Sequence, residues 1–282
     1  TDSRQMVRQM TQSTSQVTHD YIPILDLAGF IHGDPEALES LASELRYALE
    51  NIGFFYIINH DVPQDLIDQA FSVTREFHAL PLEQKLEIEV NEQLTGYMRD
   101  QGQKLTTSQY ADGDKPDRGE AFFMIGERGP RTTKSPNKWP PAFPGFRDVL
   151  VNYYETMEKF GIRLLPVFAR ALDLPADYFE PHFTERETFS FERVSHYPPD
   201  GLEAGQYSCG PHTDGSFLTM LATSEVPGLE IGTPEGEWIK APLWRGAFLV
   251  NSGDMLTRWS NGRFLSTPHL SLIHISEPTR PR

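Results

Sequence analysis

The chain has 282 residues, enough for one large domain that buries roughly three quarters of its unfolded surface, so its stability needs neither disulfides nor a structural metal. Forty Asp and Glu against 25 Lys and Arg give a formal net charge of -15 without an offsetting basic cluster, which argues against nucleic-acid and anionic-membrane partners and leaves a small-molecule substrate as the expectation. Cys209 is the only cysteine and reads as a packing residue in a reducing, cytoplasmic setting, and no apolar run approaches the roughly 20 residues of a membrane span.

Residues 1–20 are polar and read as a flexible N-terminal arm, leaving 21–269 as a single domain. Within it, 21–27 (YIPILDL) is short, branched and apolar, which predicts a strand. A helix opens at Asp34, Pro35 and Glu36, where Asp34 caps and Pro35 suits the first turn. Leu38, Leu41, Leu45 and Leu49 form its apolar face until Gly53 ends it. The run 54–59 reads as a buried strand. Helical stretches follow Pro63, with Leu66, Ile67, Phe71 and Phe77 apolar, and Pro81. Segment 91–139 is rich in Gly, Lys, Asp and Thr with scattered aromatics and reads as irregular, of the kind that covers a site. Segment 146–174 carries the longest helical pattern, which Pro166 is expected to kink or divide.

From 189 the pattern changes to short strands, at 189–197, 217–223, 229–232, 238–241, 247–251 and 263–269, separated by turn signals such as PPDG at 198–201 and NG at 261–262. The chain is therefore expected to be mainly β with α. A mainly helical part over 21–188 supports an antiparallel barrel or jelly roll over 189–269.

His212 and Asp214, two residues apart, point to the same face of an extended backbone, so an imidazole nitrogen and a carboxylate oxygen can reach one ion. The spacing alone is weak, since nine His and 40 acidic residues predict roughly one such pair by chance. His32 and Asp34 have it too, although Asp34 is better explained as a helix cap. Context separates the two pairs: His212 and Asp214 lie between strands of the β half, and His269 ends a later strand that an antiparallel sheet can bring alongside. Two imidazoles and one carboxylate on one face of a metal leave positions open, as iron(II) requires for oxygen and a chelating co-substrate. Each histidine read singly is a surface or core residue; the trio is what favours a metal.

The ordered motifs IPILDL at 22–27, GFFYIINH at 53–60 with VP at 62–63, RVSHYPP at 193–199, HTD at 212–214, PGL at 227–229, NSGD at 251–254, SNG at 260–262 and STPH at 266–269 resemble the isopenicillin N synthase-like branch of the 2-oxoglutarate and iron(II)-dependent dioxygenases. The resemblance implies a double-stranded β-helix core, with iron(II) held by His212, Asp214 and His269. It implies 2-oxoglutarate and O2 as co-substrates, ascorbate as reductant, and oxidation of a small-molecule C–H bond by hydroxylation, desaturation or cyclisation. Tyr197 is then expected to hydrogen-bond the distal carboxylate of 2-oxoglutarate, the alternative being a barrel-lining aromatic, and Ser195 to touch the same co-substrate. His60 falls in the family's Asn-His pair and is structural. Substrate contacts are expected from 91–139, where Tyr97, Arg99, Phe122 and Phe123 are candidates as well as ordinary packing residues. The rival readings are an oxidase of the same branch that dispenses with 2-oxoglutarate, and an inactive metal-binding relative.

The family continues past the second ligand histidine with Arg-Val, and then with an Arg-x-Ser pair in the strand that completes the barrel, whose arginine binds the distal carboxylate. Here 270–282 (LSLIHISEPTRPR) departs from that pattern. Arg280 has the spacing without the serine, and Pro278 and Pro281 would disrupt a central strand. The segment reads as an anomalous tail, truncated or derived from adaptor or vector sequence. The last barrel strand is accordingly expected to be missing, with a strand edge exposed and 2-oxoglutarate short of a cationic partner. His274, inside this tail, is not taken as a ligand.

Overall fold

The apolar run ending YIPILDL forms β1 (Ile24–Asp26) in the computed structural model, which describes residues 22–103, 115–127, 136–183, 189–198, 202–203, 206–222 and 226–272. The expected N-terminal arm, Tyr21, His274 and Arg280 lie outside the described residues. A four-residue helix, α1 (Ala28–Ile31), precedes the expected long one, α2 (Ala37–Asn51). Asp34 Oδ1 accepts the Glu36 N–H at 3.0 Å, so its cap acts in the turn before α2. Gly53 ends the helix at φ +78°, a conformation that favours a residue without Cβ, and its N–H closes on Ala48 O at 2.8 Å.

β2 (Phe54–Ile58) is buried at every residue, and its alternation joins two layers. Phe55 and Ile57 pack against helical Leu41, Leu45, Phe160 and Phe168; Phe54, Tyr56 and Ile58 pack against Ile231, Ala241 and Leu249. Then come α3 (Gln64–His78) and α4 (Leu82–Leu86), after Pro63 and Pro81 as expected. The expectation that 91–139 is irregular is corrected. It contains β3 (Gly96–Met98) and β4 (Glu120–Ile125), both wholly buried. A strand covered on both faces shows no alternation of apolar and polar residues, which is why EAFFMI gave no strand signal.

α5 (Pro144–Ala171) runs uninterrupted past Pro166, so the expected division does not occur. Pro166 has no N–H to offer the carbonyl four residues back, but buried Leu164, Leu165, Val167 and Phe168 anchor the chain on both sides of it. Arg46 of α2 ties the far end down, donating to Ala171 O at 2.8 Å and Arg170 O at 3.1 Å.

The β half comprises β5 (Phe191–His196), β6 (Cys209–His212), β7 (Leu218–Ala222), β8 (Leu229–Gly232), β9 (Trp238–Lys240), β10 (Phe248–Ser252) and β11 (His269–Ser271). A helix absent from the expectations, α6 (Asp254–Trp259), follows β10. The strand expected at 263–269 is corrected: 263–268 is irregular, and His269 begins β11 rather than ending a strand. The order β1-β2-β10-β7 makes one sheet and β6-β11-β8-β9 a second, facing it across Ile231 and Leu249; β3-β4-β5 forms a third. This is a jelly-roll core, mainly β with α. β5 and β7 each end their sheets, so among the described residues no strand joins them.

Candidate metal centre

His212 ends β6 and His269 begins β11, and the antiparallel register makes them direct partners. Their rings lie 4.4 Å apart between centroids. Asp214 stands two residues beyond His212, outside the strand, with Oδ1 3.5 Å from His212 Nε2 and 3.8 Å from His269 Nε2. The three ligand atoms lie within 4.8 Å of one another, so one divalent ion fits among them.

The outer contacts aim these donors. His212 Nδ1 lies 2.8 Å from Gly210 O and His269 Nδ1 lies 3.2 Å from Thr267 O, which places each ring proton on Nδ1 and leaves Nε2 free for a metal. Asn251 Nδ2 donates to Asp214 Oδ2 at 2.9 Å, turning Oδ1 inward. Phe54 meets the buried His269 ring edge-on at 5.3 Å. Burial depresses the His269 pKa, favouring the neutral imidazole a metal needs. Burial also works against a charged His212, but the Asp214 and Cys209 side chains outweigh it and push its pKa up to about 10. Burial opposes ionisation of Asp214 too, yet hydrogen bonding to His212 and the nearby His269 hold its carboxyl well below the usual range. An excess of proton affinity facing an ionised carboxylate is the electrostatic setting of a cation site.

Comparison with known proteins agrees with this geometry. Residues 22–142 match the family model of the N-terminal region of non-haem dioxygenases in morphine synthesis, and residues 187–277 that of the 2OG-Fe(II) oxygenase superfamily. Kihadalactone A synthase of Citrus sinensis is 33% identical over 270 residues, 90% of this chain and 79% of that one. The chain belongs to the 2OG-Fe(II) oxygenase superfamily. A 2-oxoglutarate-Fe(II) type oxidoreductase of Emericella nidulans, hxnY, is 33% identical over 88% of this oxygenase and 74% of its own length. Among solved structures, that of a full-length Neurospora crassa protein in complex with alpha-KG has a TM-score of 0.78 at 26% identity, covering 95% of this chain and 82% of that one.

The other candidates of this oxygenase separate cleanly. Ser195 and Tyr197 lie on and just beyond β5, on the face that carries Arg193, and the Ser195 and Tyr197 side chains are hydrogen-bonded. Burial raises the Tyr197 phenol, and Cys209 of β6 acts on it in the same direction. Cys209 is buried with Sγ 3.9 Å from His212 Nδ1, so the packing cysteine sits on the same strand as the ligand histidine and beside its ring. His60 is structural: its Nδ1 accepts the Val62 N–H at 3.1 Å and its ring packs on Phe248 at 4.6 Å. His32 is exposed, and among the described residues its ring hydrogen-bonds only within its own helix, at Ala28 O. Phe122 belongs to the core beside α3 and α5, Arg99 pairs with Glu89, and Tyr97 donates to Glu120. Of the four candidate contacts only Phe123 lies on the Arg193 side of the third sheet.

A second trio, His78, Glu120 and His196, brings donor atoms equally close. Its carboxylate is already occupied. Oε1 accepts from His196 Nδ1 at 2.9 Å, and Oε2 accepts from Lys85 Nζ at 2.8 Å and from the Tyr97 hydroxyl. The Lys85 ammonium supplies the compensating charge a metal would bring, so this is a polar brace joining α3, α4, β3, β4 and β5. Sequence reasoning missed Asn251, Arg193 and Glu120. Only Arg193 had a readable signal, its two- and four-residue spacing from Ser195 and Tyr197.

Proposed function

We propose that this oxygenase, of the isopenicillin N synthase-like branch, binds iron(II) through His212, Asp214 and His269. It takes 2-oxoglutarate beside Tyr197 and Ser195 and oxidises a C–H bond of a small molecule by hydroxylation, desaturation or cyclisation. The observation that carries the reading is the register pairing of His212 with His269, with Asp214 closing the third position. Iron(II) and 2-oxoglutarate, once bound, supply the oxidising chemistry: O2 is consumed, 2-oxoglutarate loses CO2 to give succinate, and the substrate C–H bond is oxidised.

The chain's own residues contribute orientation. Gly210 and Thr267 carbonyls fix both imidazoles, and Asn251 holds the outer oxygen of Asp214. Ser195 on β5 and Tyr197 just beyond it offer hydroxyls to the co-substrate's far carboxylate. A cytoplasmic setting suits a chain whose lone Cys209 cannot form an intrachain disulfide. Among the described residues no helix is long and apolar enough to cross a membrane.

Oxygen uptake and succinate formation, measured with and without 2-oxoglutarate, test the reading. Uptake that depends on 2-oxoglutarate, with succinate in equal amount, is expected. Uptake independent of it would favour an oxidase that dispenses with the co-substrate.

A further inference from the structure

β6 carries an irregularity just before its ligand. His212 pairs with His269 and Cys209 with Ser271, so Gly210 and Pro211 together oppose Leu270 and form a bulge. A bulge interrupts the ladder, and Gly210 is buried, so its N–H needs a partner from elsewhere. Asp117 supplies one: its Oδ1 accepts the Gly210 N–H at 3.1 Å. A Cβ built on Gly210 would stand 3.2 Å from the same oxygen, so the carboxyl lies directly against the strand backbone. The Gly210 carbonyl in turn lies 2.8 Å from His212 Nδ1. Pro211 disfavours helical backbone at the residue before it, so the N–H and carbonyl of Gly210 turn nearly together, and holding one aims the other.

Asp117 is itself fixed. Its N–H donates to Gln103 O at 3.0 Å, and the Arg118 N–H donates to Tyr207 O at 2.8 Å. Gln206 Nε2 donates to Pro116 O at 3.0 Å, and Arg118 pairs with Asp100 at 3.0 Å. Gly119 follows, facing Tyr197 one step past the last β4–β5 pair, Glu120 with His196. A Cβ on Gly119 would stand 2.9 Å from Tyr197 Cδ1 and 3.0 Å from Cε1, so any larger residue would displace the ring. Three successive residues thus touch both the strand of a metal ligand and the tyrosine assigned to the co-substrate.

We infer that 117–119 is a positioning segment of the metal centre: Asp117 pins the β6 bulge and aims His212 through Gly210, while Gly119 seats the Tyr197 ring. Asp117 acts as a hydrogen-bond acceptor, so a carboxamide can replace it and a methyl group cannot. The inference rests on the proposed function for the roles of iron(II) and 2-oxoglutarate.

The test compares Asp117→Asn, Asp117→Ala and Gly119→Ala with wild type, each as the full chain. In metal-free protein, long-range proton–nitrogen NMR of the histidine rings, assigned with His212→Ala, reads which nitrogen of His212 carries the proton. A single Nδ1–H tautomer is expected in wild type and Asp117→Asn, and a mixture in Asp117→Ala. Iron(II) affinity against a competing chelator should fall about tenfold in Asp117→Ala and less than about threefold in Asp117→Asn. Gly119→Ala should leave iron affinity within about twofold of wild type and raise the 2-oxoglutarate half-saturation of the iron(II) charge-transfer band about fivefold, the loss of one well-placed hydrogen bond. A merely structural role would instead lower both affinities together in both Ala chains. That result overturns the inference, as does Asp117→Ala with unchanged His212 signals and iron affinity, or Asp117→Asn matching Asp117→Ala. If Asp117→Ala does not fold, hydrogen exchange of the wild-type Gly210 amide decides: protection is expected, and exchange at the rate of an open loop contradicts the Asp117 contact. Failure of wild type to bind iron(II) would sink the proposed function, while the metal-free ring signals still report on Asp117.

Discussion

His212 and His269 are cross-strand partners, 57 positions apart in sequence and 4.4 Å apart between ring centroids. The pairing ties the candidate metal centre to sheet register. A one-residue slip of β11 against β6 would turn His269 to the other face and dissolve the site. Residues that hold this register or aim the three ligands should therefore matter to metal affinity without touching the ion.

Asn251 is the first of these. Its amide holds Asp214 Oδ2 at 2.9 Å from buried β10. Asn251→Ala is expected to weaken iron(II) binding by roughly 10- to 100-fold while leaving both histidines in place. Metal titration against a competing chelator reads this directly, and an unchanged affinity would show that Asp214 orients without it.

Gly53 is a second, more remote control. A Cβ built there would stand 2.2 Å from Thr267 Oγ1 and 3.0 Å from Leu265 O, in a backbone conformation with φ +78°. Thr267 is the residue whose carbonyl faces His269 Nδ1. Gly53→Ala should cost about 2–3 kcal/mol of stability by urea unfolding. It should also weaken iron binding, because the 265–267 segment must move.

Much of this was legible in the sequence, for identifiable reasons. β2 and α5 carry long, unambiguous patterns. The ligand trio sits in motifs whose order survives along the chain. β3 and β4 were missed because strands buried on both faces show no alternation, and α6 because six residues carry too little periodicity to register. The placement of His269 at the start of β11 was missed because 263–268 is apolar enough to resemble a strand, yet its polar groups bond elsewhere. Arg263 reaches Glu50 and Thr267 reaches Ile52 O. No local pattern encodes contacts separated by more than 200 residues.

The Glu120 brace should govern acid stability. Burial acts to raise this carboxyl, and hydrogen bonds from His196, His78, Lys85 and Tyr97 outweigh it, holding its pKa far below the ordinary value. The folded pKa is depressed, so the stabilisation is present above about pH 4.5 and is lost as pH falls below that value. Glu120→Gln leaves Lys85 buried without its counter-charge and is expected to cost about 3–5 kcal/mol at pH 7, converging on wild type in acid. A constant difference across pH would contradict the assignment.

Glu192 should act in the opposite sense. Among the described residues both its oxygens are buried without a hydrogen bond, and burial pushes its pKa up to about 8. The folded state holds the proton more tightly, so stability falls as pH rises from about 4.5 to 8, by about 1.4 kcal/mol for each tenfold gain in proton affinity. Glu192→Gln should match wild type near pH 4 and exceed it by on the order of 3 kcal/mol at pH 9. Equal unfolding curves at pH 9 would show that the carboxylate has found water or a partner.

The central claim is that His212, Asp214 and His269 form one iron site that a chelating co-substrate completes. Anaerobic titration with iron(II) in the presence of 2-oxoglutarate, followed by visible absorption, tests it most directly. A weak charge-transfer band saturating at one iron per chain, and lost in His212→Ala and His269→Ala chains that remain folded, is the predicted result. A band of undiminished intensity in both variants would place the metal elsewhere and contradict the account.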